Sequence, residues 1–207
     1  MQKRLRGWRI SDNRLSMGKS PSIRIRREAL IPLLKDSDEG VRQAAAQALE
    51  KLDSAGSLEE VLDQLKKGKL GDKVQAIYAL GRIGGEKVLG PLVYCAKRPE
   101  EDIKSAAIEV LGELAHPKAL PVLIDKLQEP NTGLRAKAIA ALGNYRDPAV
   151  AKHLVPFLDA DDGLLEAEAA LALAKAGDTA LEGKLIELLK SPYASTRQAA
   201  ARALGVR

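Results

Sequence analysis

Five basic side chains recur along this sequence at a fixed spacing, and they are the first candidates for chemistry. They stand 31 residues apart, or twice that, at Arg42, Lys73, Lys104, Arg135 and Arg197. A regular row of cations could bind the phosphates of a nucleic acid. On a helical wheel, however, the row lies between two apolar columns. We therefore expect a ladder of hydrogen bonds between neighbouring segments, with the side-chain stems packed on the core.

Few other residues have the type and spacing that catalysis or metal binding requires. His116, His153 and Cys95 are far apart in sequence and do not form the ligand spacing of a zinc site. The segment GKS at 18–20 matches the end of a phosphate-binding loop, but Asn13 occupies the position of the first glycine. The sequence therefore predicts no catalytic residue, no metal and no other cofactor, and it favours a packed, structural role for Cys95.

The 31-residue spacing extends to apolar residues and shows that the chain is built from repeats. One column is all leucine and another all alanine, at Leu49, Leu80, Leu111, Leu142, Leu173 and Leu204 and at Ala45, Ala76, Ala107, Ala138, Ala169 and Ala200. A fixed period of roughly 20–50 residues is typical of solenoids and propellers, and the absence of alternating β-branched runs excludes a propeller. We predict an all-α fold, a right-handed α-solenoid of six helical hairpins, each with an outer helix A and an inner helix B.

The composition divides the chain into an N-terminal arm or cap, residues 1–27, and a six-repeat solenoid, residues 28–207. The arm holds nine basic side chains and one acidic one and so carries a charge of +8, whereas the rest of the chain carries −3 of the overall +5. Breaks between repeats are expected at residues 54–56, 84–85, 116–117, 147–148 and 177–178, where Gly, Pro, Ser and Asp cluster. Repeats 1 to 6 then run 26–56, 57–87, 88–118, 119–149, 150–180 and 181–207.

Helix starts can also be predicted from the sequence. Ser57 with Glu60, and Thr179 with Glu182, match the capping box that begins an A helix. A single column between helices A and B holds side chains that suit an N-cap, at Asp38, Asn131 and Asp162.

These columns resemble HEAT repeats, specifically the short HEAT-like type of the phycobilisome lyases. The motif V-R-x-A-A-x-x-A-L-G is matched by VRQAAAQAL at 41–49 and by LRAKAIAALG at 134–143. The resemblance covers about residues 26–207 and implies a scaffold for protein partners. Iron-binding HEAT-like hydroxylases use His-Glu pairs, whereas Pro117 follows His116 and Leu154 follows His153. HEAT-like DNA glycosylases place a tryptophan in their groove, whereas Trp8 lies outside the repeats.

The solvent-facing columns of helix B are the candidate binding site, because in a HEAT solenoid they line the concave surface. The predicted partner-binding residues are Gln43, Gln47, Tyr78, Arg82, Glu109, Glu113, Ala136, Ala140, Asn144, Ala167, Leu171 and Lys175, with Lys51, Val74 and Ser105 in the same columns. Small residues in repeats 4 and 5 predict an apolar floor there, with Leu171 exposed on it. Lys126, on an A helix, is expected to be a surface residue outside the groove.

We interpret the protein as a non-catalytic scaffold that binds a protein or peptide partner in its concave groove. Two alternatives remain, a subunit of a bilin lyase-like complex and a nucleic-acid-associated protein that uses residues 1–27. No apolar run reaches the length of a membrane helix, so no membrane contact is expected. The charged residues 1–20 and the single cysteine predict a cytoplasmic location.

Overall fold

A computed structural model describes residues 21–176 and 181–205 of the chain. These residues form helices and turns, with no strand among them. The α-helices are α1 (Pro21–Leu30), α2 (Glu39–Lys67), α3 (Leu70–Ile83), α4 (Glu86–Ala96), α5 (Glu101–Leu114), α6 (Leu120–Asp125), α7 (Thr132–Gly143), α8 (Pro148–Leu154), α9 (Gly163–Ala176), α10 (Glu182–Leu188) and α11 (Ala194–Gly205). Short 3-10 helices follow α1, precede and follow α6, and follow α8, at Ile31–Lys35, Pro117–Ala119, Lys126–Gln128 and Val155–Asp159.

The chain separates into two compact units, Met1–Asp63 and Gln64–Arg207. In the first unit, α1 and the 3-10 helix after it lead into α2. The Asp38 carboxylate accepts a hydrogen bond from the Val41 amide at 2.9 Å and so begins α2 as an N-cap. The Arg27 guanidinium bonds the Asp53 carboxylate at 2.7 Å, and Ile23 and Ala45 are buried. The rest of the predicted arm, residues 1–20, lies outside the described residues.

The break predicted at residues 54–56 is wrong, because α2 continues through it without interruption. Ser57, expected to cap a new helix, instead donates its hydroxyl to the Asp53 carbonyl one turn earlier, at 3.0 Å. Such a bond to the preceding turn is the usual arrangement of a serine inside a helix. No proline lies between Glu39 and Lys67, so nothing in this stretch removes a backbone donor from the helix.

The second unit is a row of stacked helices and confirms the predicted α-solenoid. The B helices pack directly on one another in chain order, α3 on α5, α5 on α7, α7 on α9, and α9 on α11. Helices α4 and α10 and the short segments around α6 and α8 pack against them as the A helices. The alanine column is buried throughout both units, as predicted, at Ala45, Ala76, Ala107, Ala138, Ala169 and Ala200.

A column of glycines in the B helices marks the closest approach between repeats. A Cβ on Gly81 would lie 2.8 Å from a Val110 methyl group, one on Gly112 would lie 2.6 Å from the Ala141 Cα, and one on Gly143 would lie 2.7 Å from the Ala172 Cα. Real side-chain atoms do not approach so closely. The missing side chains therefore allow the neighbouring helix backbones to touch.

The remaining turns follow the sequence where the structure describes them. Gly84 and Gly85 adopt left-handed conformations, at φ 66° and 77°, which glycine takes without steric cost, and they separate α3 from α4. Asn131 and Asp162 begin α7 and α9 as N-caps, as predicted. The turn expected at 177–178 and the capping residue Thr179 lie outside the described residues.

Ala107→Leu is expected to destabilise the fold, because the Ala107 side chain is fully buried between α5 and its neighbours. Overpacking a filled core costs about 1–3 kcal/mol. Chemical denaturation measures the change. The control is Ala201→Leu on the exposed side of α11, which should leave the free energy of unfolding nearly unchanged. A wild-type stability for Ala107→Leu would contradict the repeat register.

Candidate functional site

Three arginines of the basic column bond within their own repeat, so the ladder predicted for them is wrong. Each directs Nη1 at two carbonyl oxygens of the loop just before its helix. Arg42 donates to the carbonyls of Asp36 and Ser37 at 2.8 and 2.9 Å. Arg135 donates to the carbonyls of Glu129 and Pro130 at 3.0 and 3.2 Å. Arg197 donates to the carbonyls of Ser191 and Pro192 at 2.7 and 2.9 Å. We refer to these as arginine clamps. An arginine can bond two acceptors at once because its donors form a planar fork.

Bonds between repeats come from the lysine and glutamate members of the same column. Lys104 Nζ reaches Glu129 of the next repeat at 2.8 Å, and Glu129 also accepts from Lys126 at 2.7 Å. Glu166 is buried and accepts hydroxyl donors from Ser191 at 3.2 Å and Thr196 at 2.9 Å, both in the following repeat. No hydrogen bond of the Lys73 side chain is seen within residues 21–176 and 181–205.

Lys126 is buried, which corrects its expected place on the surface. Its side chain is 9% exposed, and that of Glu129 is 11% exposed. Burial acts to raise the pKa of Glu129, but hydrogen bonds from Lys104 and Lys126 outweigh burial and hold this pKa below its usual range. The three side chains therefore form a partly buried ionic cluster that joins repeats 3 and 4.

The solvent-facing side of α3, α5, α7 and α9, here called the inner face, carries a second set of bonds between repeats. The Tyr78 hydroxyl donates to Glu109 at 3.3 Å, and Lys137 Nζ binds the same carboxylate at 2.8 Å. Burial, together with the nearby Glu109 carboxylate, raises the pKa of Tyr78. Lys175 bonds the Asn144 amide oxygen at 3.2 Å. Tyr78–Glu109 and Asn144–Lys175 each join equivalent positions of successive repeats.

Two residues of the predicted apolar floor are not available to a partner. Ala136 is 5% exposed and Ala167 is 9% exposed, so both are buried. Ala140 and Leu171 are partly exposed, and Arg82 and Glu113 are exposed. Gln43 and Gln47 are exposed on α2, within the first unit.

The open space on the inner face lies at repeats 2 and 3. A cavity of about 510 Å³ opens between α3 and α5, and we call it the α3–α5 cavity. Its lining is Leu70, Gly71, Val74, Gln75, Tyr78, Asp102, Ser105 and Ala106. Leu70 is 47% exposed at this cavity.

Local sequence positions the two walls of this cavity. Asp72 accepts the Lys69 amide at 3.1 Å and so fixes the first turn of α3, which carries Leu70 and Gly71. Glu101 and Asp102 lie in the first turn of α5, where carboxylates interact favourably with the helix dipole. The neighbouring Glu100 is bound by the Arg98 guanidinium at 2.7 and 3.1 Å.

Sequence reasoning placed Tyr78, Val74 and Ser105 on this face but missed Leu70, Gln75 and Asp102. Gln75 and Asp102 lie beside the chosen columns on the helical wheel, and including those neighbouring columns would have found them. Glu168 was also missed. It is half-buried in α9, and burial raises its pKa, which Lys175 partly offsets.

The other candidates for chemistry are separated from this face. Cys95 is buried in α4, and burial raises the pKa of its thiol, which fits the predicted structural role. Within the described ranges, no three His, Cys, Asp or Glu side chains come together as metal ligands. None of the described helices combines the length and apolar character needed to cross a membrane.

Stacked helical hairpins whose inner helices present one continuous row of side chains define an α-solenoid repeat protein. Family models described as "HEAT repeats" and "HEAT repeat" match residues 91–174 and 27–54. This chain is a HEAT-repeat protein. No curated protein sequence matches it.

Solved structures share this fold at low sequence identity. The complex of CpcE and CpcF of phycocyanin lyase from Nostoc sp. PCC7120 is 24% identical with a TM-score of 0.54, over 86% of this chain and 76% of that one. An engineered protein is 23% identical with a TM-score of 0.52, over 87% and 97%. A designed armadillo repeat protein in complex with the peptide (KR)4 is 19% identical with a TM-score of 0.53, over 86% and 98%. The first of these confirms the likeness to phycobilisome lyase repeats at the level of the fold.

Proposed function

We propose that this protein is a non-catalytic scaffold that binds an extended segment of a partner protein across its inner face. The α3–α5 cavity is the main contact. This assignment moves the centre of the predicted site from repeats 4 and 5 to repeats 2 and 3. Val74 and Tyr78 stay within it, and the partly exposed Ala140 and Leu171 lie further along the same face.

The observation that carries the proposal is a cavity of about 510 Å³ on the inner face with apolar side chains in its lining. Leu70 is 47% exposed there, and Val74 is partly exposed. Such surface often marks a contact site on a soluble protein. An apolar side chain that entered the cavity would be removed from water. This burial would stabilise the complex by roughly 25 cal/mol for each Å² of apolar surface buried.

The test is selection of a displayed library of random twelve-residue peptides on the full chain, followed by affinity measurements. Leu70→Glu and Val74→Glu should weaken binding of the selected peptides about tenfold or more, because a carboxylate would have to be desolvated in the cavity. Leu171→Glu should weaken it less. Because Leu70 is exposed, its substitution should leave the melting temperature unchanged, which separates lost binding from unfolding.

The matched control is Leu189→Glu, the same change at an exposed leucine that follows α10, an A helix. It should bind the selected peptides as wild type does. Peptides that bind Leu70→Glu and wild type equally would contradict the proposed site. A selection that enriches no peptide would contradict the binding function itself.

A further inference from the structure

We propose that the partner segment carries a basic residue beside the apolar side chain that enters the α3–α5 cavity. Asp102 binds this lysine or arginine. The inference rests on the proposed function and specifies the chemistry of the partner at that same site.

Asp102 is the only charged side chain among the residues that line the cavity. It belongs to a run of three acidic residues at the start of α5, of which the other two are bound within the protein. Glu100 bonds Arg98, and Glu101 accepts the Asn131 amide group at 3.2 Å. Asp102 makes no hydrogen bond or ion pair with any residue in 21–176 or 181–205. It is therefore the carboxylate that remains available to a ligand.

The rest of the lining also suits an extended peptide with a cation. The Tyr78 ring faces the same cavity, and a tyrosine ring attracts a nearby lysine or arginine. The side chains of Gln75 and Ser105 have no hydrogen-bond partner among the described residues, so they can bond the backbone of a bound segment. Glu109, the nearest acid further along α5, is already engaged by Tyr78 and Lys137.

The experiment is the same peptide selection repeated in parallel on wild type, Asp102→Lys and Glu187→Lys, with each enriched pool read by sequencing. In the wild-type pool, lysine and arginine next to an apolar residue should exceed aspartate and glutamate about threefold, the factor expected for an exposed ion pair. Asp102→Lys should reverse that preference. High salt should reduce it, because exposed charges are screened.

Glu187→Lys is the matched control, because it reverses the charge of an exposed acidic side chain on α10, an A helix outside the inner face. Its pool should keep the wild-type preference. Equal reversal by Glu187→Lys would show a general effect of net charge and overturn the role of Asp102.

The two proposals fail in different ways. If binding of the enriched peptides depends on Leu70 but the peptides do not favour basic residues, or favour acidic ones, the role of Asp102 is overturned. The proposed scaffold function would still stand. Pools that bind Leu70→Glu as well as wild type would overturn the site itself, whatever their charge.

Discussion

Gly112→Ala is expected to destabilise the protein by about 2 kcal/mol, the middle of the range for overpacking a filled core. The added Cβ would lie 2.6 Å from the Ala141 Cα, which belongs to the backbone of the next repeat. A flexible side chain could move aside, but a helix backbone can move only by shifting the helix. For a chain of this size the melting temperature should fall by about 4–8 °C.

Gly71→Ala provides the matched control for this change. Gly71 lies in α3, and no atom within 4 Å would meet its new Cβ. Alanine at such a site restricts the unfolded chain and should stabilise the protein by about 0.5 kcal/mol. The two Gly→Ala changes should therefore have opposite signs in chemical denaturation. A stabilised Gly112→Ala would show that α5 and α7 do not touch at this point.

Glu129→Gln should cost about 2 kcal/mol, within the range for hydrogen bonds to charged groups, because Glu129 and Lys104 are only partly buried. Glutamine keeps the shape of the side chain but removes the counter-charge of Lys104 and leaves Lys126 with the exposed Asp125 carboxylate, 3.5 Å away. The control is Lys118→Ala, which removes an exposed pair with Glu86. It should leave the free energy of unfolding nearly unchanged, because exposed ion pairs contribute little.

The cost of Glu129→Gln should depend on pH in one direction. Because the pKa of Glu129 is lowered in the folded protein, its stabilising effect is complete at neutral pH and is lost as pH falls through the folded pKa. Urea denaturation from neutral pH to about pH 3 should show wild type and variant converging at the acid end. A difference independent of pH would mean that the cluster acts through packing and not through charge.

The repeat register could be predicted because it depends on burial alone. A side chain larger than alanine in the alanine column, for example at Ala107, would collide with a neighbouring helix. Alanine therefore recurs every 31 residues, and this period is visible in a single sequence. The N-caps Asp38, Asn131 and Asp162 were also predictable, because a cap acts on its own first turn.

The errors concern choices that depend on neighbours. Helix α2 continues through residues 54–56 although Ser and Gly favour a turn there, because such local preferences are weak and tertiary context overrides them. The helical wheel places Arg42 and Lys104 in one column. It cannot show that the Arg42 guanidinium bonds two loop carbonyls, whereas Lys104 bonds a residue of the next repeat. The sequence predicts exposed side chains at Ala136 and Ala167, but their burial depends on the spacing between helices, which the helical wheel does not contain.

The arginine clamps have a consequence for how such a chain can grow. Each clamp, at Arg42, Arg135 or Arg197, bonds the loop of its own repeat. A gene segment that encodes one of these repeats therefore encodes both partners of the clamp, wherever it is inserted. Repeats 3 and 5 depend instead on Glu129 and Thr196 in the repeats that follow them. A singly duplicated repeat of the first kind would therefore keep its arginine clamp, whereas a copy of repeat 3 or 5 would keep its bond to the following repeat only when that repeat is copied with it.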